Sequence, residues 1–143
     1  MISAYLSRLK EYASFDESLE ISPYAKMMGF RLRRQDGNLM TAMTFNSNHI
    51  GSPYPPTLHG GTVASLMEMA ALMQLIWDKD MGHLPKAIDI TVDYLRSGKP
   101  EDTYARARVF RRGRRFATLH AEAWQSDPEK PIASAMLHFQ LSE

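Results

Sequence analysis

The chain has no cysteine among its 143 residues. A disulfide framework, a thiolate metal site and a thiol nucleophile are therefore excluded. Net charge is also small: 17 lysines and arginines face 16 aspartates and glutamates, a formal +1 at pH 7. That balance argues against a general nucleic-acid binder. Long apolar runs are missing as well. The strongest candidate, residues 62–77, is shorter than the ~20 residues of a membrane span and carries polar interruptions. Residues 1–10 lack the apolar core of a signal peptide, so a soluble cytoplasmic protein is expected, with no membrane partner. What is present is an ordinary globular composition, 44% hydrophobic and 23% charged, sized for one domain over residues 1–143.

One segment organises the rest. After His59-Gly60-Gly61 the chain reads as a helix over about residues 60–78 in which Thr62, Ser65, Glu68 and Gln74 are the only polar side chains before Asp78. A helix apolar all round is expected to be buried. Glu68 lies in its middle, and a carboxylate is rarely buried without a partner or a purpose. Burial there would raise its pKa by desolvation. The two glycines open the helix, whose first N–H groups have no intrahelical acceptor. Met67, Met69 and Met73 supply flexible thioethers suited to an adaptable apolar pocket.

Elsewhere the pattern alternates. Apolar residues at Ile2, Tyr5, Leu6, Leu9, Tyr12 and Ala13 predict an amphipathic N-terminal helix over residues 2–15. Ser22-Pro23 to Gly29 reads as a short capped helical turn. Asp36-Gly37 between residues 30–34 and 39–45 predicts a hairpin. Residues 46–58, with two Asn and three Pro, read as loop. Beyond the helix, four period-two runs follow: Ile88 to Tyr94, Ala105 to Val109, Ala117 to Ala123 and Ala133 to Leu141. Their short connections predict antiparallel neighbours. The small alanines on their inner faces suit a close helix. The expected class is α+β, one curved antiparallel sheet around one long helix.

At His59-Gly60-Gly61 through Glu68 the sequence resembles the hotdog-fold acyl-CoA thioesterases, most closely the phenylacetate-pathway and 4-hydroxybenzoyl-CoA branch. Those proteins carry His-Gly-Gly at the start of the sheet-wrapped helix and an acid eight residues after the first glycine. Here that position is Glu68. The likeness runs from about Phe30 to the C-terminus. It implies the hotdog fold, homodimers with sites at the subunit interface and often a dimer of dimers (a homotetramer), and hydrolysis of acyl-CoA without metal or bound cofactor, coenzyme A being part of the substrate. It further implies that Glu68 comes from the facing subunit. The family usually places an Asn before His-Gly-Gly; Asn48 is the nearest match. The span from it to His59 is longer than the common pattern, so Asn46 or Ser52 could replace it. Many relatives carry a Ser or Thr near position 87, where this chain has Ala87.

The residues fit that chemistry. The Gly60 N–H at a helix start can polarise a thioester carbonyl, with the helix dipole behind it. Glu68 can act as general base on water or as nucleophile. His59 is placed to contact the thioester or orient the loop, and Gly61 and Ser65 to line the site. Between Arg96 and Arg115 basic residues outnumber acidic ones, and Arg96, Arg112, Arg114 and Arg115 are candidates for the coenzyme A phosphates, which suit forked guanidinium donors. His49, His83, His120 and His138 show no metal-ligand spacing. Two rival readings stand beside hydrolysis: an acyl-CoA-binding module without turnover, and a hotdog dehydratase or hydratase, whose usual His–acid pairing is not found here.

Overall fold

A computed structural model describes residues 2–142. In chain order the elements are α1 (Ile2–Leu9), β1 (Phe15–Ser18), α2 (Pro23–Met28), β2 (Phe30–Gln35), β3 (Asn38–Met43), a 3-10 turn (Ser47–His49), β4 (Ile50–Pro53), β5 (Pro56–Leu58), α3 (Gly60–Asp78), β6 (Lys86–Tyr94), β7 (Thr103–Arg112), β8 (Phe116–Trp124) and β9 (Ala133–Gln140). Seven strands form one antiparallel sheet in the order β1-β2-β3-β7-β8-β9-β6, and β4 with β5 forms a separate small hairpin. The sheet wraps around α3, which packs on β3, β7, β8, β9 and β6. This is the hotdog arrangement.

Local chemistry explains most of these elements. Asp36 and Gly37 both take positive φ, 52° and 78°, as a two-residue hairpin turn between β2 and β3 requires. Ser22 caps α2 by accepting the Ala25 N–H, and Gly29 closes it in the left-handed region. The inner face of the sheet is built from Ala105, Ala117, Ala121, Ala123, Ala133 and Ala135, all buried. Those short side chains let the backbone of α3 approach, and Leu66, Met67, Met73 and Leu75 fill the space between with no exposed surface.

Four expectations are corrected. The N-terminal helix ends at Leu9 rather than near residue 15, and Phe15–Ser18 instead pairs with β2. The free edge of β2 competes successfully for this segment, and Phe15 gains the Trp77 ring, 6.0 Å between centroids. Second, residues 46–58 are not unstructured: they hold the 3-10 turn and the β4–β5 hairpin, whose tip carries the cis Tyr54-Pro55 bond.

Third, β6 pairs with β9, not with its sequence neighbour β7. Residues 95–102 carry the chain past two strands, ~14 Å at the usual strand spacing and within reach of that length. The crossing is pinned: Leu95 and Arg96 donate N–H bonds to the Ile132 carbonyl, and Gln125 accepts from the Lys99 N–H while donating to its carbonyl. Within β6, Ile88 falls at a bulge between Ala87 and Asp89 and Tyr94 lies at the strand end, so both are exposed, 52% and 56%, rather than inward.

Fourth, α3 is not covered all round by its own chain. Gly61 and Glu68 are exposed, and Ala64, Ser65 and Leu72 are half-buried. They recur at helical spacing and make one open stripe.

Candidate active site

The approach to α3 is fixed by a buried histidine. His49, only 4% exposed, accepts the Asn46 N–H at Nδ1 (3.2 Å), and its carbonyl accepts the His59 N–H (2.8 Å). Burial lowers its pKa, against a smaller opposing effect of a hydrogen bond to the Met28 carbonyl. A neutral imidazole is what these contacts need: one nitrogen accepts and the other donates. The sequence marked His49 only as a residue without metal-ligand spacing; its structural role rests on the bond from the His59 N–H, ten residues along the chain.

Asn46 is occupied. Its Oδ1 accepts the Asn48 N–H (2.8 Å), capping the 3-10 turn. Asn48 itself is exposed and immediately precedes His49, whose carbonyl holds His59. The backbone thus carries Asn48 close to the start of α3 despite the long span between them. Ser52 is exposed on β4, opposite Thr57.

His59 is the N-cap of α3. Its Nδ1 accepts the Gly61 N–H (2.9 Å), and its carbonyl accepts both the N–H (3.0 Å) and the hydroxyl (2.7 Å) of Thr62. Accepting at Nδ1 places the proton on Nε2, which leaves that nitrogen as a donor. The N–H groups of Gly61 and Thr62 are thereby satisfied. Gly60, the first helical residue, has an N–H with no intrahelical acceptor. Its carbonyl accepts the Tyr94 hydroxyl at 2.9 Å. A Cβ on Gly60 would lie 2.9 Å from Tyr94 Cζ, so any side chain there would have to displace that ring. Beside this junction opens a cavity of about 420 Å³, lined by Leu58, Gly60, Val63, Tyr94, Arg96 and Ile132 among others. Nothing in the sequence near His59 pointed to Tyr94, which lies at the far end of β6.

Glu68 stands on the open stripe of α3 and makes no hydrogen bond or ion pair among the described residues. It follows Gly60 by eight residues, ~12 Å along the helix axis. Ser65, one turn before it, shares a 2.8 Å hydrogen bond with the Tyr24 hydroxyl. The carboxylate is thus exposed on the single chain, where the sequence led us to expect burial.

The basic residues divide. Arg96 donates to the Pro131 carbonyl (2.6 Å), and Arg112 donates to the Leu75 carbonyl (2.6 Å) near the C-terminal end of α3. Arg114 and Arg115 are exposed and, with Lys79, Met81 and Arg112, line a second cavity of about 520 Å³. Leu75 lies fifteen residues from Gly60, ~22 Å along the helix. Within one chain, the helix start and this basic cavity sit at opposite ends of α3.

The comparisons with known proteins agree with this architecture. No curated protein matches the chain in sequence. A solved structure from Chromobacterium violaceum is 34% identical, with a TM-score of 0.74 over 99% of this chain and 97% of that one. A phenylacetic acid degradation-related protein from Ralstonia eutropha JMP134 shares the fold at 19% identity, with a TM-score of 0.76 over 95% of this chain and 98% of that one. So does a Bacillus halodurans protein crystallised with CoA, at 13% identity and a TM-score of 0.74, over 99% of this chain and 88% of that one. The family model of the thioesterase superfamily matches residues 56–132, more than half of the chain and the stretch that carries His59, Gly60, Glu68 and Tyr94, and the chain belongs to that superfamily.

Proposed function

We propose that this protein hydrolyses acyl-CoA thioesters to the free acid and coenzyme A. The observation that carries the reading is the Gly60 N–H: it heads an apolar helix, lacks an intrahelical acceptor and belongs to a residue that lines a cavity beside a fixed loop. A thioester carbonyl accepting that N–H is polarised toward attack, with the positive end of the helix dipole beneath the developing oxyanion. Gly60 also lets the substrate approach the backbone without a Cβ in the way.

Attack on the carbonyl requires a base or nucleophile within hydrogen-bond reach of the reacting atoms. Glu68 of the same chain is ~12 Å from Gly60 along the helix, too far to serve the same carbonyl. A second copy of the chain resolves the distance: its Glu68 reaches the Gly60 of the first, and a homodimer, alone or paired into a tetramer, holds two such sites. Glu68 then either takes a proton from water as it adds to the carbonyl, or adds directly and forms an anhydride that water opens. In both cases the coenzyme A thiolate departs and no metal or bound cofactor takes part. Asn48 and the Nε2–H of His59 stand ready to donate to the thioester or to water. Arg114 and Arg115 are the arginines placed to meet coenzyme A phosphates without first giving up a hydrogen bond; a structural neighbour that carries CoA makes that ligand reasonable. The phenylacetic acid degradation-related neighbour makes aryl acyl-CoAs the first substrates to try.

The test is thiol release from short, medium, long and aryl acyl-CoAs by wild type and Glu68→Ala side by side. Turnover by wild type, falling at least ~100-fold in the variant with its assembly intact, is the expected result for loss of a catalytic carboxylate. Equal rates would remove Glu68 from the mechanism. Tight acyl-CoA binding with no release from any substrate would make the protein a binding module.

A further inference from the structure

We infer that Tyr94 is a positioning residue for the thioester site, acting through Gly60. The inference rests on the thioesterase reading and deepens it. Two contacts meet at one residue. The Tyr94 hydroxyl donates to the Gly60 carbonyl at 2.9 Å, and the ring lies so close that a Cβ at Gly60 would come within 2.9 Å of Cζ and 3.0 Å of Cε1. One side chain therefore holds the first residue of α3 both by a directed bond and by van der Waals contact along its Cα.

The anchor behind Tyr94 is firm. Its backbone pairs with Ala133 at the end of β6, and the next two residues, Leu95 and Arg96, both donate to the Ile132 carbonyl. On the other side, His59 is held through its N–H by His49 and through its carbonyl by Thr62. The peptide that bears the Gly60 N–H is held through its His59 carbonyl by Thr62, and Tyr94 holds the next peptide through the Gly60 carbonyl, so Gly60 is fixed on both sides, between a pinned loop and a pinned strand end. Glycine is the residue least able to hold its own backbone orientation. An oxyanion donor is effective only when its direction is fixed before reaction, because reorientation during the chemical step consumes the stabilisation it offers. Tyr94 supplies the orientation that Gly60 cannot supply for itself. It also walls the adjoining cavity, so the same ring borders the space next to the polarised carbonyl.

Tyr94→Phe separates the two contacts: the ring stays and the hydroxyl goes. Three readouts are taken on the assembled protein: kcat and KM for the best acyl-CoA, the thermal midpoint, and amide hydrogen exchange of the peptide covering residues 59–62. The expected result is a kcat lower by about tenfold, a fraction of the 10²–10³ lost when an oxyanion donor is removed outright. KM stays within about twofold, since the lost alignment acts on the transition state. The midpoint is unchanged and exchange at 59–62 is faster. Wild-type kcat in the variant, a loss carried by KM alone, or exchange at 59–62 unaltered would each overturn the inference while leaving the thioesterase reading intact. A lower kcat accompanied by a matching fall in the thermal midpoint would overturn it too, as a folding defect. A wild type that releases no thiol removes the thioesterase reading itself, and the positioning role with it.

Discussion

His49 shows how much one buried side chain can decide at a distance from the chemistry. Its imidazole fixes the 3-10 turn through the Asn46 N–H, and its carbonyl fixes His59. Burial lowers its pKa, so the folded protein binds a proton at His49 less readily than the unfolded chain does. Stability therefore falls as pH drops below the unfolded value of 6.5, continues to fall toward the depressed folded value, and is fully retained above 6.5. Carboxylates titrate over part of the same range, so the contribution is isolated by comparison. Between pH 7.5 and pH 5, the thermal midpoint of wild type should fall further than that of His49→Gln, which cannot titrate; parallel curves would refute the assignment. Gly60 and Tyr94 carry the complementary point about legibility. Gly60 could be singled out because helix start, neighbouring histidine and acid all lie in one segment. Tyr94 is 34 residues downstream, and only the folded β6 brings its hydroxyl to the Gly60 carbonyl.

At the scale of elements, α3 is fixed at both ends by side chains from elsewhere or from its own cap. His59 closes the N-terminus, and Arg112 from β7 reaches the Leu75 carbonyl at the other end, with Met81 sulfur beside its second nitrogen. The Leu75 carbonyl already accepts the Lys79 N–H, so the guanidinium adds a second, charged donor there and complements the helix dipole. Arg112→Met keeps the aliphatic stem and removes the charged bond, and should lower stability by about 1.5–3 kcal/mol, the usual range for a hydrogen bond to a charged group. The urea midpoint at fixed protein concentration measures it. If the residue only caps the helix, KM for acyl-CoA stays at the wild-type value; a raised KM would show that it also meets the coenzyme. The elements themselves were unequally readable. The Asp36-Gly37 turn, α3 and the alternating runs of β7, β8 and β9 follow from local rules. The β4–β5 hairpin does not, because Pro53, Pro55 and Pro56 read against strand. The placement of β6 beside β9 is a long-range pairing, and an eight-residue connection fits either a neighbouring strand or one three positions away.

The whole molecule turns on a surface that the chain leaves open. Hydrophobic composition predicts that a helix is buried but not by which chain. The stripe of Gly61, Ala64, Ser65, Glu68 and Leu72 remains open or half-open, and β6 ends the sheet with no strand paired beyond it among the described residues. Long exposed edges and apolar stripes are liabilities unless another surface covers them. If a second copy does so, each site uses Gly60 from one protomer and Glu68 from the other, which can be tested without knowing the interface in detail. Glu68→Ala keeps a sound Gly60. Gly60→Val keeps a sound Glu68, while its side chain would overlap the Tyr94 ring. Each variant alone should be inactive. Unfolded together and refolded as a mixture, half of the dimers would pair one variant with the other, and each such dimer would hold one site with both groups intact. Activity should then return to about a quarter of the wild-type level, as random pairing in a two-fold dimer dictates. A mixture that stays inactive while mass measurements show mixed dimers would mean that Gly60 and Glu68 of the same chain must act together. The ~12 Å between them along the helix would then have to be bridged by something other than a second copy of the chain.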